Sequence, residues 1–186
     1  MSRPRPWELL STEHLQDCAV FKVGRMRSRS PTSGREHDFY RIDSSDWVNV
    51  VPITDEGDIV MIHQFRHGSQ AVTLEIPGGL VDPGEGPAEA AARELREETG
   101  YAPREVVSIG HVNPNPALFG NTVHTFLASG CTRVGDVTGD GGTEETIVEL
   151  VSRDALPARL RTGEIDHALV IAGLFWWELA QREAAR

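Results

Sequence analysis

The first third of the chain alternates short apolar and polar stretches. Residues 7–30 and 35–54 show this alternation, and Ser, Gly, Pro and Asp interrupt it at intervals. Period-two alternation between turn-forming residues is typical of β-strands. "TDEGD" at 54–58 predicts a hairpin turn into the apolar stretch "IVMIHQF", and "AVTLEIPGG" at 71–79 predicts a further strand that ends at a glycine break. The first part of the chain is therefore predicted to form sheet.

A helical pattern begins after the glycine break. Pro87 suits the first helical position after Gly86, because its missing N–H is not needed there, and Gly100 can end the helix in the left-handed conformation. At about 100° per residue, this helix has an apolar and an acidic side. The side predicted to pack contains Ala88, Ala91, Ala92, Leu95 and Thr99. The side predicted to be exposed contains Glu94, Glu97 and Glu98.

The second half of the chain mixes strands and helices. "EVVSIGHV" and "NTVHTFLASG" predict strands on either side of a loop, and "VGDVTGDGGTEE" predicts a mobile surface loop before the strand "TIVELVS". Ser152 precedes a short helical stretch, and Asp166 is the predicted N-cap of a closing helix. The side of that helix predicted to pack carries Ala168, Leu169, Ala172, Phe175, Trp176 and Leu179. This order of elements predicts an α+β sandwich.

Length and composition fit one soluble globular domain. The 186 residues are 39% hydrophobic and 25% charged, and the chain shows no membrane-spanning apolar run and no secretory signal. We therefore expect a cytoplasmic protein that does not bind membranes. A formal charge of −10 argues against nucleic-acid binding through a basic surface, and two distant cysteines exclude a cysteine-based zinc ribbon.

The acidic side of the predicted helix concentrates negative charge. Glu94, Glu97 and Glu98 would raise one another's pKa and destabilise the helix if nothing compensated their charge. Hard divalent cations such as Mg²⁺ bind oxygen ligands and relieve this repulsion. Magnesium commonly takes further ligands from water and substrate phosphates, which suits a site for a pyrophosphate compound. A solvated acidic helix face is the alternative interpretation.

The spacing of residues 79–101 resembles the signature of the Nudix hydrolases. Its fixed positions are Gly79, then Glu85 after five residues, then after seven residues Arg93-Glu94-Leu95, and finally Glu97-Glu98, Gly100 and Tyr101. The resemblance implies a Nudix-type α/β/α sandwich, in which a mixed β-sheet lies between helices and the signature forms a loop-helix-loop catalytic motif. It also implies hydrolysis of a nucleoside diphosphate linked to another moiety.

The resemblance implies two sets of roles within the signature. The ligands of Mg²⁺, with Mn²⁺ as a substitute, would be Glu94, Glu97, Glu98 and the carbonyl of Gly78. The structural positions of the motif would be Gly79, Glu85, Arg93 and Gly100. Glu94 and Glu98 would be the main ligands, and Glu97 would share a metal and act in catalysis. Arg93 would pair with Glu85 to fix the loop.

Beyond the signature, the order of elements from about residue 46 to about residue 179 resembles the ADP-ribose and nucleoside-diphosphate-sugar pyrophosphatases. Pro116 lies 15 residues after Tyr101, about where the ADP-ribose subgroup carries a proline near its substrate, although a rigid turn also explains a loop proline. The resemblance implies hydrolysis of ADP-ribose to AMP and ribose 5-phosphate. GDP-mannose or another nucleotide sugar is the alternative substrate, and a catalytically inactive nucleotide-sensing module is the alternative of another class.

The same subgroup implies further catalytic and substrate-binding residues. Its catalytic base lies in an acidic loop before the last strand, which points to Glu144 and to Glu145 beside it. Arg66 resembles an arginine that contacts the substrate phosphates, and Trp47 could stack on a purine base. The alternative interpretations are a solvated loop for Glu144 and Glu145, a surface arginine for Arg66 and a core aromatic residue for Trp47.

The subgroup commonly forms dimers through its N-terminal strands. Residues 1–45 are therefore the predicted dimerisation element of a homodimer, and residues 46–186 are the predicted catalytic core of the single domain. Arg25, Arg27 and Arg29 could contact a diphosphate across the dimer or lie in a solvated turn. The expected partner is a small nucleoside-diphosphate substrate.

Overall fold

The structure is a computed structural model that describes residues 3–139 and 145–184. These residues form two compact units. The first unit contains the described residues up to Ser45 together with Asn113–Asn121, and the second contains Asp46–Val112 and the described residues from Thr122 onwards. The first unit thus includes Asn113–Asn121, a segment of the predicted catalytic core, and the division into residues 1–45 and 46–186 stays a prediction.

An antiparallel sheet forms most of the first unit. Its strands are β1 (Glu8–Cys18), β2 (Phe21–Arg29) and β3 (Glu36–Asp43), with β2 in the centre. The segment Asn113–Asn121 runs beside β3, because the amide of Ile42 donates to the carbonyl of Leu118 at 2.8 Å. Segments far apart in the chain thus share one sheet edge.

The basic run of the first unit lies on β2 and faces acids on both neighbouring strands. Arg29 Nη1 lies 2.9 Å from Glu8 on β1, and Arg27 Nε lies 3.0 Å from Glu36 on β3. Arg25 forms an ion pair with Glu13 in the same way. Opposite charges across strands support the pairing register. The run is therefore part of a strand, and the solvated turn considered for it is wrong.

The second unit contains an eight-stranded sheet with the order β11-β5-β4-β10-β8, to which β6 adds beside β5, β7 beside β4 and β9 beside β10. Its strands are β4 (Trp47–Thr54), β5 (Ile59–Arg66), β6 (Ala71–Glu75), β7 (Gly78–Leu80), β8 (Tyr101–Ala102), β9 (Glu105–Val112), β10 (Val123–Arg133) and β11 (Thr146–Val151). β4 and β10 run parallel, and the other pairs are antiparallel, so the sheet is mixed.

Helices cover both faces of this sheet. They are α1 (Pro87–Thr99), a 3₁₀ turn (Arg153–Ala155), α2 (Leu156–Thr162) and α3 (Ala168–Ala184). One core cluster joins Val48, Val50 and Phe126 of the sheet to Leu95 of α1. The other joins the opposite face to α2 and α3, and its members include Val51, Ile59, Met61, Leu156, Leu174 and Trp177. The predicted α/β/α sandwich is therefore confirmed.

The ends of α1 follow the sequence prediction. Gly86 is the N-cap in extended conformation, Pro87 is the first helical residue, and Gly100 ends the helix with a φ of 72°. The amide of Gly86 donates to Glu89 Oε2 at 2.9 Å, which satisfies one of the amides at the helix start. Local sequence signals are sufficient to place this helix.

The packed side of α1 differs from the prediction at several positions, among them Ala90, which is buried although it was not expected to pack. Ala91, Leu95 and Thr99 are buried as expected, but Ala88 is exposed. Glu98, which was expected on an exposed acidic face, is only 5% exposed. It is one turn from Leu95 and two turns from Ala91 on the side that faces the sheet, so its carboxylate is inside the unit.

Helix α3 was predicted correctly as a helix, but its N-cap and its packed side were predicted incorrectly. The helix begins at Ala168, and the ring of His167, not Asp166, accepts a hydrogen bond from the amide of Leu169 at 3.2 Å. The buried positions are Val170, Gly173, Leu174 and Trp177. Phe175, expected to pack, is 61% exposed. Apolar residues lie on nearly every side of this helix, so periodicity alone does not identify the packed side.

Part of the predicted mobile loop is held against α1. The amides of Val134 and Gly135 donate to the carbonyl of Gly100, and those of Thr138 and Gly139 donate to the carbonyl of Glu97 at 3.0 Å. Residues 140–144 lie outside the described part of the chain. Among the helices of the described ranges, none has the length and apolar character needed to cross a membrane.

Candidate metal and active site

Two adjacent glycines bring the main chain against the signature helix. β7 pairs with the start of β4, with Gly79 opposite Val48 and Gly78 opposite Asn49. A Cβ atom on Gly79 would lie 2.3 Å from Glu94 Oε1, and one on Gly78 would lie 2.3 Å from the carbonyl oxygen of Val48. Close approach, not a special backbone angle, therefore explains both glycines: a Cβ on Gly78 would collide with main chain, and one on Gly79 would displace the Glu94 carboxyl group.

The buried carboxylate of Glu98 reaches the same glycine segment. Its Oε2 accepts a hydrogen bond from the amide of Gly78 at 2.9 Å, across 20 residues of sequence. A buried carboxylate is stable only when it is hydrogen-bonded or paired, and this amide supplies one such bond. Glu94 and Glu98 thus both contact Gly78–Gly79, which brings two of the predicted metal ligands together.

Arg93 connects the remaining carboxylates of the signature. Its Nε and Nη2 donate to the two oxygens of Glu85, each at 3.0 Å. Its Nη1 donates to Glu94 at 2.8 Å and to Glu97 at 3.1 Å, and Nη2 also donates to the carbonyl of Leu80 at 3.0 Å. The pairing predicted for Arg93 and Glu85 is therefore present, and it ties the loop to the helix.

The charged groups of this network shift one another's pKa in the expected directions. The hydrogen bond from Arg93 lowers the pKa of Glu85 below its usual value. The carboxylates of Glu85, Glu94 and Glu97 raise the pKa of Arg93 further above its already high value. At neutral pH both partners are charged, so the loop is held by a charged network.

The predicted ligands fit a hard divalent cation by their chemistry. Glu94, Glu97 and Glu98 supply carboxylate oxygens, and Glu94 and Glu98 adjoin the main chain at Gly78–Gly79. Within residues 3–139 and 145–184, no group of three His, Cys, Asp or Glu side chains is arranged as a metal site. Arg93 forms ion pairs with both Glu94 and Glu97. A cation would compete with this guanidinium for the same oxygens.

The chain segments near the predicted base also contact the signature helix. Glu145 is exposed and directly precedes β11, and the hydroxyl of the next residue, Thr146, donates to the carbonyl of Glu98 at 2.7 Å. Glu144, the other predicted base, lies outside the described residues. The described part of the structure thus places one of the two predicted bases one residue away from a hydrogen bond to the last turn of α1.

Arg66 lies at the end of β5 and forms a bidentate ion pair. Its Nε and Nη2 donate to the two oxygens of Glu75, each at 2.8 Å, and the hydroxyl of Thr73 contacts the same carboxylate. Glu75 is 2% exposed. Sequence reasoning did not identify Glu75, because Glu75 lies opposite Ile62 in the strand register and Arg66 lies opposite Ala71, so no cross-strand rule pairs the two charges.

The other two predicted substrate contacts lie in different units. Trp47 is half-buried at the start of β4, where its amide donates to the carbonyl of Thr122 at 2.9 Å. Pro116 belongs to the first unit, in an exposed turn where the amide of Ala117 donates to the side chain of Asn115 at 3.2 Å. Within its unit, Pro116 occupies a hydrogen-bonded turn, the kind of position that suits a proline.

The Arg66–Glu75 pair leads to a prediction about pH. Burial alone would raise the pKa of Glu75, but hydrogen bonding and attraction from Arg66 outweigh burial, and its pKa lies below the usual value. A depressed folded-state pKa contributes stability above the unfolded-state pKa of about 4.3, and this stability is lost as pH falls through the folded-state value. We expect Arg66→Met to be less stable than the wild type at pH 7, with a difference that shrinks in acid.

Urea unfolding of both proteins, followed by tryptophan fluorescence between pH 7 and pH 3, measures this difference. Arg104→Met is the matched control, because Arg104 pairs with Asp55 at an exposed position, where ion pairs contribute little. A gap between Arg66→Met and the wild type that stays constant across this range would contradict the prediction.

The contact between Gly79 and Glu94 leads to a second prediction. In Gly79→Ala the new methyl group would occupy the position of the Glu94 carboxyl group, which is the movable end of a side chain. The fold should therefore survive while Glu94 is displaced, and turnover should fall by roughly tenfold to a hundredfold, the effect of an ångström-scale misplacement. Steady-state kinetics and thermal unfolding test this. Gly84→Ala is the control, since nothing lies near a Cβ atom at this position. Because Gly84 has a φ of 88°, which alanine rarely adopts, this control variant should itself lose some stability.

Comparison with known proteins agrees with this geometry. A sequence model of the NUDIX domain matches residues 45–173. The chain is 30% identical over 172 residues to the ADP-ribose pyrophosphatase of Mycobacterium tuberculosis, covering 90% of this chain and 81% of that one. It is 42% identical over 81 residues to the ADP-ribose pyrophosphatase of Bacillus subtilis, and this match spans 44% of either chain.

A solved structure of an ADP compounds hydrolase shares the fold. It covers 100% of both chains with a TM-score of 0.86 at 20% sequence identity. The chain therefore belongs to the Nudix family, within the group of pyrophosphohydrolases that includes the ADP-ribose pyrophosphatases.

Proposed function

We propose that this chain catalyses the Mg²⁺-dependent hydrolysis of a nucleoside diphosphate linked to a sugar, with ADP-ribose as its substrate. Water would attack one phosphorus atom, the P–O bond of the diphosphate would break, and AMP and ribose 5-phosphate would be released. Two of the relatives are ADP-ribose pyrophosphatases, which supports this choice of substrate.

One observation carries the proposal. The carboxylates of Glu94 and Glu98 both adjoin Gly78–Gly79, and Arg93 fixes that loop to α1 through Glu85. A solvated acidic face, the alternative interpretation, would not bury Glu98 or place it on a main-chain amide. Buried carboxylates gathered at one loop are the arrangement expected of a cation site.

The proposed metal ligands are Glu94, Glu97, Glu98 and the carbonyl of Gly78. The chemistry supplied by Mg²⁺ bound there is neutralisation of the diphosphate and a lower pKa for the attacking water. Arg93 would orient Glu94 and Glu97 through its hydrogen bonds.

The proton of the attacking water needs an acceptor. We assign this role to a glutamate immediately before β11, and Glu145 is the one within the described residues. Its exposed carboxylate could accept the proton as the phosphorus is attacked. We further propose that Arg66, which Glu75 holds in place, contacts a substrate phosphate, and that Trp47 and Pro116 contribute to nucleotide binding.

A substrate panel tests the proposed function. Phosphate release, coupled to a phosphatase, would be measured for ADP-ribose, GDP-mannose, UDP-glucose, NADH, diadenosine polyphosphates and nucleoside triphosphates, with and without Mg²⁺. We expect Mg²⁺-dependent turnover with the highest kcat/KM for ADP-ribose. The same assay with Mn²⁺ tests whether this ion substitutes.

Other outcomes of the panel identify the alternatives. A higher kcat/KM for GDP-mannose would assign the chain to nucleotide-sugar hydrolysis with the same metal chemistry, because the metals act on the shared diphosphate. Binding of ADP-ribose in calorimetry without turnover of any substrate would indicate a nucleotide-sensing module.

We also propose that the chain works as a homodimer whose contacts come from the strands of residues 1–45, while residues 46–186 carry catalysis. The long, largely exposed edge strand β1 supports this, because exposed sheet edges favour pairing with another chain. Light scattering coupled to size-exclusion chromatography measures the oligomeric state, and a monomeric mass at micromolar concentration would contradict the proposal.

A further inference from the structure

Thr146 links the strand next to the proposed base with the helix that carries the proposed metal ligands. It is the first residue of β11, and its hydroxyl donates to the main-chain carbonyl of Glu98 at 2.7 Å. The two residues are 48 positions apart in the chain. This hydrogen bond therefore joins two elements that sequence proximity does not hold together.

The accepting carbonyl belongs to the last turn of α1, where carbonyl groups have no partner within the helix. The neighbouring carbonyl of Glu97 accepts two hydrogen bonds, from the amides of Thr138 and Gly139. The two described segments that end at Gly139 and begin at Glu145 are thus tied to consecutive carbonyls of the signature helix. Both carbonyls belong to residues proposed to bind metal through their side chains.

Glu98 forms hydrogen bonds through both its side chain and its main chain. Its side chain accepts from the amide of Gly78, and its main-chain carbonyl accepts from Thr146. A shift of β11 relative to α1 would therefore break the hydrogen bond at Glu98, while a shift of Glu98 would break its bond to Gly78. This double attachment fixes the start of β11 relative to the glycine segment of the proposed metal site.

Glu145 precedes Thr146 directly, and consecutive Cα atoms are about 3.8 Å apart. The main chain of Glu145 therefore follows the position of Thr146, although its own side chain is exposed. A general base must lie within hydrogen-bond reach of the water that it deprotonates. An anchor one residue away can supply this placement without contacting the substrate.

We propose that Thr146 is a positioning residue, whose hydroxyl holds Glu145 at the distance from the metal carboxylates that proton transfer requires. This inference rests on the proposed function, because it concerns the base of that reaction. A hydroxyl that only caps the end of α1 would affect stability alone, so the two roles differ in measurable ways.

The test compares Thr146→Val, which removes the hydroxyl at nearly constant volume, with Thr146→Ser, which keeps it. We expect Thr146→Val to lower kcat for ADP-ribose by about tenfold to a hundredfold with little change in KM, because misplaced catalytic groups affect the chemical step. In the wild type, kcat should rise with pH as the general base loses its proton. This rise should be absent from the pH profile of Thr146→Val. Thr146→Ser should restore both kcat and the pH profile.

Thr162→Val is the matched control. The hydroxyl of Thr162 donates to the carbonyl of Arg159 at 3.1 Å in the last turn of α2, so the variant removes the same kind of bond at another helix end. We expect a loss of thermal stability similar to that of Thr146→Val, with unchanged kcat. If Thr146→Val does not fold, Thr146→Ala takes its place in each measurement.

A double-mutant cycle with Glu145→Gln decides whether Thr146 acts through Glu145. If it does, Thr146→Val should have almost no further effect on kcat in the Glu145→Gln background. Additive effects, or a Thr146→Val protein with the kcat and pH profile of the wild type, would overturn the inference while leaving the proposed function intact. A wild-type protein without turnover of any substrate would instead overturn the proposed function and this inference with it.

Discussion

Replacement of Glu98 by glutamine is expected to reduce kcat for ADP-ribose by about a thousandfold, since loss of a main metal ligand removes several kcal/mol of transition-state stabilisation. The fold should survive, because the amide oxygen of glutamine can still accept the hydrogen bond from Gly78. Glutamine lacks the negative charge that attracts the cation. The Mg²⁺ concentration needed for half-maximal rate should therefore also rise.

Steady-state kinetics over a range of Mg²⁺ concentrations measure both effects, and circular dichroism confirms folding. Glu89→Gln is the matched control, because Glu89 lies in the first turn of the same helix and accepts from the amide of Gly86, a bond that glutamine can keep. Its kcat should match the wild type. Full activity in Glu98→Gln would remove Glu98 from the catalytic site.

Replacement of Arg93 by methionine is expected to reduce both stability and turnover. The guanidinium contacts Glu85, Glu94 and Glu97, all of which lie at least partly inside the unit. Removing one partner of a half-buried charge network leaves the others uncompensated, which costs roughly 2 kcal/mol, between the values for exposed and buried ion pairs. The loop would also lose its attachment to α1, so kcat should fall by about a hundredfold.

Urea unfolding with and without Mg²⁺ tests this prediction. Because the cation can replace the lost positive charge, Mg²⁺ should raise the stability of Arg93→Met more than that of the wild type. Arg96→Met is the control, since it removes a positive charge from an exposed position of the same helix. Equal stability and equal turnover of Arg93→Met and the wild type would contradict the assigned role.

The elements that the sequence predicted well are those determined by neighbouring residues. Pro87 and Gly100 define the ends of α1. The cation site predicted from the spacing of Glu94 and Glu98 stays a prediction, although both side chains do reach Gly78–Gly79. The burial of Glu98 could not be predicted in the same way. A helical projection assigns a glutamate to the exposed side, whereas the amide that stabilises this one is 20 residues away.

Non-local contacts also explain the other differences. The packed side of α3 is selected by the segments beneath it, and a Cβ atom on Gly173 would lie 2.7 Å from Ile76, which follows β6. Nothing within the helix sequence indicates this contact. Likewise, the bond from Thr146 to Glu98 depends on where β11 lies at the edge of the sheet, and residue types alone give no sign of it.

The guanidinium of Arg93 acts as a built-in counterion, which has a consequence for metal dependence. Because it already compensates Glu85, Glu94 and Glu97, the chain does not need a cation to complete its fold. Folding and metal loading are then separate events, unlike in small metalloproteins that unfold without their ion. A cation at the proposed site would have to displace part of an ion pair, which would weaken its binding. The amount of folded protein should thus be insensitive to Mg²⁺, while its activity follows the free Mg²⁺ concentration around it.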